Sequence, residues 1–271
     1  MKEINLRVFS GPQPPNFYIV RALISKGLLM EKGAKLECIN VNRVFGDFYA
    51  LRNVNVTFNP NELIGIVGPN GAGKTTLFNV ITNVGYRLTS GRIELDGKRI
   101  DRQRPDQIRR VGIARTFQIP AYFPSFTCLE SVRLAVWNSK ENLSSVDDEA
   151  RSVLERVGLK KEMNRNTKEI TLFDLKRLMI ATAIASNVRL LLLDEPFGGL
   201  CPEEIYSLME LIRKIHEENC TIAIIEHKIR FLIDLVERLV VLHSGEKIAE
   251  GEPKGIMNDP LVKSVYLGEF F

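Results

Sequence analysis

The chain has 271 residues, of which 45% are hydrophobic and 26% are charged. This length and apolar content favour one compact unit with a large core, and they exclude a fibrous or disordered chain. The net charge is only +4 and no block of five or six like charges occurs, so nucleic-acid binding is not indicated. No apolar run reaches the roughly 18 residues of a membrane span, and no signal peptide is visible at residues 1–10.

The first 35 residues are predicted to be an extension that precedes the folded domain. A Gly-Pro cluster at residues 11–15 breaks regular structure, and residues 17–30 could form a short amphipathic helix. Such a helix would contact a membrane or a partner, or it would pack on its own domain. We favour the second interpretation.

Residues 35–58 alternate between apolar and polar side chains on both sides of a turn at Gly46 and Asp47. Period-two alternation is typical of strands with one buried face. Residues 91–97 show the same alternation and end in an Asp-Gly turn. Together these segments predict an antiparallel β-subdomain.

The strongest motif matches G-x-x-x-x-G-K-[ST], a loop that wraps the phosphates of a nucleotide. It consists of Gly68, Pro69, Asn70, Gly71, Ala72, Gly73, Lys74 and Thr75. Glycine backbone N–H groups can turn toward phosphate, Lys74 supplies a cation, and Thr75 offers a hydroxyl to Mg²⁺. The apolar run Leu63–Val67 predicts a strand before the loop, and residues 75–83 predict a helix whose N-terminus faces the anion. We therefore expect a nucleotide site that includes the next residue, Thr76.

A second motif follows the leucine run of residues 190–193, which predicts a buried strand ending in Asp194 and Glu195. Open α/β sheets place ligands at the carboxyl ends of their strands. Asp194 is therefore expected to hold Mg²⁺ through water, and Glu195 to orient or deprotonate an attacking water. His227 follows another apolar strand and is a candidate for hydrogen bonding to the γ-phosphate.

Helical signals dominate the middle of the chain. Thr127 and Glu130 form a capping box before an apolar run that ends at Trp137, and residues 147–157 predict a second helix closed by Gly158. We expect an α-helical lobe over about residues 119–187. Apolar strands then return at residues 190–193, Thr221–Ile225 and residues 239–242, as in a mostly parallel, buried sheet.

The four cysteines are widely separated and form no C-x-x-C pair: Cys38, Cys128, Cys201 and Cys220. This spacing favours reduced thiols in a cytosolic setting over a zinc site or a disulfide framework. We predict that all four act as small apolar side chains.

From about residue 35 to its end, the chain resembles the nucleotide-binding subunit of ABC transporters, and most of all the branched-chain amino acid subfamily. The resemblance is carried by the loop and acidic motifs together with residues 113–118, 123–124, 194–196, 199–200, 245–251 and 266–269. It implies that Phe45 stacks on adenine, that Gln118 links Mg²⁺ and the water to the transporter-facing lobe, and that His227 is the switch residue. From the residue pattern alone, Phe45 would be a core aromatic and Gln118 an exposed loop amide.

The same resemblance implies an α/β fold, with a P-loop NTPase core, an antiparallel β-subdomain and an inserted α-helical lobe within an ABC ATPase domain of residues 36–271. It implies an ATP-hydrolysing subunit of an importer for branched-chain amino acids, with ATP and Mg²⁺ as cofactors. Membrane permease subunits would be its partners, and it would be peripheral on the cytoplasmic face of the membrane. Alternatives are a urea, short-amide or other ABC transporter ATPase, a non-transport ABC ATPase, and a weakly hydrolysing regulatory cassette.

One segment departs from the family pattern. Where the family carries Leu-Ser-Gly-Gly-Gln, residues 170–174 read Ile-Thr-Leu-Phe-Asp. Thr171 and Asp174 can still begin a helix, but Phe173 replaces a glycine, and Asp174 places a negative charge where the family meets a phosphate. Two like charges about 5 Å apart repel by roughly 3 kcal/mol at an effective dielectric near 20. Because of Phe173 and Asp174, we expect a heterodimer with a second ATPase subunit that has an intact signature. Cys201 also replaces an Asp or Asn of the family, a change that bears on crosstalk between the two sites of the dimer.

Overall fold

The computed structural model describes residues 33–137 and 144–266. Most of the predicted extension, including the helix expected at residues 17–30, therefore lies outside the described residues. Within the described residues, no helix is both long and apolar enough to cross a membrane.

The strands are, in chain order, β1 (Leu36–Phe45), β2 (Phe48–Phe58), β3 (Leu63–Val67), β4 (Ser90–Leu95), β5 (Lys98–Arg99), β6 (Ile113–Arg115), β7 (Leu190–Asp194), β8 (Thr221–Ile225), β9 (Arg238–His243) and β10 (Glu246–Gly251). The helices are α1 (Lys74–Thr82), α2 (Pro105–Arg110), α3 (Cys128–Trp137), α4 (Ser144–Arg156), α5 (Leu172–Ile184), α6 (Pro202–Glu217), α7 (Ile229–Leu232), α8 (Pro253–Asn258) and α9 (Pro260–Tyr266).

These strands form two sheets. The smaller sheet has the order β2-β1-β4-β5 and is antiparallel. The larger sheet has the order β10-β9-β3-β8-β7-β6, in which all neighbours are parallel except β10. Because β3, β7 and β8 lie inside a parallel sheet, the ends from which the phosphate loop, Glu195 and His227 follow meet at one edge.

The larger sheet is buried on both faces, since its side chains alternate between two apolar clusters. One cluster joins one face of the sheet to α3, α4, α5 and α6, and the sheet contributes Leu63, Val67, Leu191, Leu193, Ile222, Ile224, Leu239 and Val241. The other cluster joins the opposite face to α1 and to the antiparallel sheet, and the sheet contributes Ile64, Ile66, Leu190, Leu192, Ala223, Ile225, Val240 and Leu242. A rigid, two-sided core thus supports the edge where the motifs lie.

Helix and strand boundaries follow the sequence signals closely, with small differences. Strands β3 and β8 have the predicted bounds, whereas the strand expected over residues 113–118 ends at Arg115. It is short because β6 is the edge strand of the sheet and pairs with β7 over three residues. The predicted helix over residues 147–157 begins earlier, and Gly158 after it has a φ of 77°.

Candidate functional site

The phosphate-binding motif is a loop whose backbone packs directly against other backbone. A Cβ atom on Gly68 would lie 2.1 Å from the carbonyl oxygen of Leu242, and one on Gly73 would lie 2.6 Å from that of Ala50. Both glycines also have positive φ values, 153° and 100°. Only glycine fits such contacts and angles without rearrangement, which explains the two outer glycines of the motif.

Helix α1 begins at Lys74, so its unpaired N-terminal N–H groups face the loop. The Lys74 side chain is buried, and its Nζ donates to the carbonyl oxygens of Gly68 at 2.6 Å and Pro69 at 3.0 Å. The ammonium group therefore lies over the concave side of the loop. A positive helix end and a buried cation at one point provide the chemistry of a phosphate site.

Two predicted metal ligands lie together beside this loop. The Thr75 hydroxyl donates to Oδ1 of Asp194 at 3.4 Å, because α1 begins next to the end of β7. Both side chains offer oxygen atoms as metal ligands, and Mg²⁺ prefers oxygen ligands. In the described part of the chain, no group of three or more His, Cys, Asp and Glu side chains could hold a metal. Mg²⁺ commonly takes one or two protein oxygens and completes its shell with water and phosphate, and the pair formed by Thr75 and Asp194 suits that coordination.

Asp194 also has a basic partner to which the sequence analysis assigned no role. Nη2 of Arg115 lies 3.0 Å from its Oδ2, and the two side chains are 5% and 1% exposed. Arg115 is held in place by Asn79 and by the face of the Phe117 ring. Burial raises the pKa of Asp194 and the charge of Glu195 adds to this, whereas Arg115 opposes the shift.

Three predicted catalytic residues come together at Glu195. Its Oε2 accepts from Nε2 of Gln118 at 2.8 Å, and its Oε1 lies 3.1 Å from Nε2 of His227. Glu195 itself has a φ of 48°, a value that non-glycine residues rarely adopt and that clusters at functional sites. The carboxylate is thereby fixed by one amide and one imidazole at the edge of the sheet.

Two buried side chains hold the backbone around this carboxylate. Glu226, at the end of β8, accepts from the backbone N–H groups of Phe197 at 2.6 Å, His227 at 3.0 Å and Lys228 at 3.2 Å. It thus joins the segments that follow β7 and β8. Its position after an apolar strand was the available signal, but sequence analysis assigned it no role.

The second support comes from helix α5. The Nζ atom of Lys176 donates to the carbonyl oxygens of Glu195 at 3.0 Å and Gln118 at 3.3 Å. Burial lowers the pKa of Lys176, and nearby Glu226, Glu195 and Asp194 oppose this. One buried ammonium therefore connects the helix to both segments that supply catalytic side chains.

Phe45 is an exposed aromatic at the end of β1 and not the core residue that its pattern suggested. Its side chain is 41% exposed, its ring meets that of Tyr86 edge-on at 5.0 Å, and the Arg43 guanidinium lies 4.1 Å above it. An exposed aromatic ring can stack on a planar base.

The departing segment begins helix α5, as predicted. Thr171 is the N-cap, and its hydroxyl oxygen accepts from the Asp174 N–H at 3.1 Å. Asp174 is buried and forms an ion pair with Arg177, whose guanidinium also covers the Phe173 ring at 4.3 Å. Arg177 therefore compensates part of the charge of Asp174 within the helix, and the predicted repulsion of a phosphate by Asp174 stays a prediction. Two differences from the family pattern remain: the Asp174 N–H group is already bonded to Thr171, and the Phe173 ring lies beside it.

The cysteine prediction is right for three residues and wrong for one. Cys38, Cys128 and Cys220 are buried, and burial raises the pKa of the Cys38 and Cys220 thiols to about 12. Cys201 is exposed as the N-cap residue of α6. It lies outside the core because the chain leaves the sheet edge here before the helix begins.

Comparison with known families identifies two regions of this chain. Residues 51–198 match the family model described as ABC transporter. Residues 246–271 match the model described as branched-chain amino acid ATP-binding cassette transporter. The two matches cover both the phosphate loop and the end of the chain.

Individual relatives agree. The high-affinity branched-chain amino acid transport ATP-binding protein LivG of Escherichia coli is 35% identical over 241 residues, which cover 83% of this chain and 94% of the relative. BraF of Pseudomonas aeruginosa, which has the same description, is 33% identical, and the match covers 86% of this chain and 98% of BraF. A nucleotide-free ATP-binding cassette from an ABC transporter superposes with a TM-score of 0.80 at 29% identity, over 87% of this chain and 100% of that one. The ADP conformation of the ATP-binding cassette MJ1267 superposes with a TM-score of 0.78 at 28% identity, over 88% of this chain and 100% of that one.

Proposed function

Since this chain belongs to the ABC transporter family, whose ATP-binding cassettes hydrolyse ATP, we propose that it drives an importer of branched-chain amino acids through the site at Glu195. The observation that carries the proposal is the Glu195 carboxylate between Gln118 and His227, beside the phosphate loop. A carboxylate fixed by two partners can orient a water for attack on a terminal phosphate. In this scheme His227 positions that water, and Gln118 links the Mg²⁺ ion and the water to the transporter-facing lobe.

The remaining predicted residues have binding roles in this proposal. The loop formed by Gly68, Pro69, Asn70, Gly71, Ala72 and Gly73 surrounds the phosphates with backbone N–H groups, with Lys74 and Thr76 at the helix N-terminus. Thr75 and Asp194 hold Mg²⁺, with Gln118 as a further ligand, and Phe45 stacks on the adenine. Bound Mg²⁺ would neutralise charge that develops on the transferred phosphoryl group. The distance of 3.4 Å between the Thr75 hydroxyl oxygen and Oδ1 of Asp194 supports this arrangement.

The direct test separates binding from hydrolysis. Glu195→Gln should keep MgATP affinity within about threefold and lower kcat at least 100-fold, because only the group that activates water is removed. Lys74→Ala should abolish tight MgATP binding, since it removes the cation over the loop. Equal ATP turnover in Glu195→Gln and wild type would sink the assignment of Glu195.

A permease subunit is the partner proposed for an apolar groove beside the Gln118 segment. The groove encloses about 250 Å³ between residues 120–123 and helices α3 and α5. Phe123 in its wall is 54% exposed and the preceding Ile119 is 79% exposed, so the groove continues into exposed apolar surface, as at protein-protein contact sites. Relatives described as transport ATP-binding proteins imply a membrane component on which such a surface can dock. This docking would hold the chain on the cytoplasmic face of the membrane as a peripheral subunit.

The second partner in the proposal is a different ATPase subunit. In a head-to-tail dimer each nucleotide lies between one phosphate loop and the other chain's α5 N-terminus. In this chain the Asp174 N–H is already bonded to Thr171 and the Phe173 ring stands where a glycine would allow close approach. A heterodimer therefore gives Lys74 and Glu195 of this chain a better helix terminus than a homodimer would.

A further inference from the structure

A second, smaller cavity lies away from the phosphate loop, between α1, α2, β6 and α5. It encloses about 200 Å³ and is lined by apolar groups, by the hydroxyl-bearing residues Thr82 and Thr182, and by Arg109 and Arg115. No acidic side chain of the described chain lines it. The wall thus carries the positive charge of Arg109 without a carboxylate to balance it.

Arg109 is the unusual residue in this wall. Its Nη2 donates to the carbonyl oxygen of Thr182 at 3.3 Å, while its Nη1 is buried with no hydrogen-bond partner among residues 33–137 and 144–266. Burial lowers the pKa of Arg109 to about 10, and no carboxylate opposes the shift. At neutral pH the guanidinium is therefore charged, and its Nη1 donors have no acceptor among the described residues.

An arrangement of this kind is costly for a folded protein. A buried N–H donor is normally hydrogen-bonded, because an unsatisfied donor loses its bonds to water without replacement. Arg115 adds little to this positive charge, because Asp194 balances its guanidinium. The free energy of the site would fall if an anion entered the cavity next to Nη1.

We propose that this cavity binds a small tetrahedral oxyanion such as inorganic phosphate, held by the Nη1 group of Arg109. Guanidinium groups favour oxyanions, with which they form charge-assisted hydrogen bonds. The volume has room for one such ion and a few waters, each of which occupies about 30 Å³ in the liquid. The site is separate from the phosphate loop, whose cation is Lys74.

Occupancy of the cavity would be coupled to the nucleotide site. Arg115 lines the cavity and pairs with Asp194, so a bound anion attracts the same guanidinium that Asp194 holds at 3.0 Å. Coupling between two sites is reciprocal. If the bound anion changes the affinity for a ligand at Asp194 by some factor, that ligand changes the affinity for the anion by the same factor.

The test is an anion titration in which the phosphate loop is blocked. Wild type saturated with ADP would be titrated with inorganic phosphate by calorimetry, beside Arg109→Met, Arg109→Lys and Arg110→Met. Arg110 is the matched control, since it follows Arg109 on α2 and its side chain is 75% exposed. We expect Arg109→Met to raise the dissociation constant at least tenfold, Arg109→Lys to raise it less, and Arg110→Met to leave it unchanged. Crystals of wild type with ADP and selenate should show anomalous density in the cavity.

The proposal is overturned if Arg109→Met binds phosphate as tightly as wild type, or if the selenate signal is absent from the cavity. The crystal experiment uses wild type, so it stands even where the methionine variant fails to fold. Lys74→Ala, titrated without ADP, should retain this site while it loses nucleotide binding. Failure of the anion site and failure of the proposed ATP site are thereby distinguished.

Discussion

Nη2 of Arg115 lies 3.0 Å from Oδ2 of Asp194, and this ion pair is among the least exposed of the described chain. It joins the edge strand β6 to the end of β7, next to the point where Thr75 meets the other carboxylate oxygen. One oxygen of Asp194 thus faces protein and the other faces the phosphate loop. Arg115 is therefore a determinant of where Asp194 points.

Arg115→Met should destabilise the fold by about 3–5 kcal/mol, because it leaves Asp194 buried without its cation. The measurement is urea unfolding at neutral pH, with Arg104→Met as the matched control for an exposed pair with Asp106. The double variant Arg115→Met with Asp194→Asn should lose less than the sum of the single losses. Strictly additive losses would contradict a direct interaction.

Acid stability should depend on Glu62. Burial alone would raise its pKa, but bonds from Arg238 and Asn59 lower it below the ordinary value of 4.5. Between the lowered folded pKa and about 4.5, the unfolded chain binds more protons, so stability rises with pH in that window. The contribution is complete above pH 4.5 and is lost as pH falls through the folded pKa.

The corresponding variant is Glu62→Gln, followed by thermal unfolding across pH 3 to 7. It should lower stability at pH 7 by about 1–3 kcal/mol, because Arg238 loses a two-point partner. The difference from wild type should shrink as pH falls below 4.5. A difference that does not change with pH would show that ionised Glu62 contributes nothing specific.

The segment at residues 170–174 makes a prediction about turnover. The purified chain alone should hydrolyse ATP slowly, and Phe173→Gly with Asp174→Gln should raise its kcat at least tenfold, because phosphate can approach the α5 N-terminus once the Phe173 ring and the Asp174 carboxylate are removed. Addition of a partner cassette with an intact signature should raise wild-type turnover in the same way. Fast turnover by the unmodified chain, with no gain from the two substitutions, would refute the heterodimer proposal.

Docking on a permease should depend on the groove beside the Gln118 segment. Phe123→Asp should abolish co-purification with the permease subunits and leave MgATP affinity unchanged, since Phe123 lies outside the phosphate loop. Phe48→Asp is the control, because Phe48 is 64% exposed on strand β2 of the antiparallel sheet and does not line the groove. Protein-free liposomes should bind none of these proteins, and strong liposome binding would instead direct attention to residues 1–35.

The fold was predictable where the chain carries uninterrupted apolar runs. Leu63–Val67 and Thr221–Ile225 have the expected bounds because every one of their residues is buried. Strand β10 was not predicted, since its residues are mostly half-exposed and it adds antiparallel to the sheet edge. The division at residue 35 and the lobe of about residues 119–187 remain predictions.

The candidate site was predictable only in its contiguous parts. The phosphate loop and the pair Asp194 and Glu195 are local patterns, and their spacing carries the chemistry. Arg115 contacts Asp194 across 79 residues, and Lys176 contacts Gln118 across 58, so neither pairing has a local signal. Residue patterns in the sequence therefore predict the reacting side chains better than they predict the side chains that hold them in place.

The carboxylate of Glu226 has a consequence for the order in which the site forms. Because its oxygens accept N–H groups from the segments after β7 and after β8, Glu195 and His227 are fixed to each other independently of any substrate. Conformational entropy that a disordered loop would lose on binding, roughly 1–2 kcal/mol for each residue, is already lost in folding. In the proposed dimer, the free energy of substrate binding is therefore available for bringing two chains together instead of for ordering one.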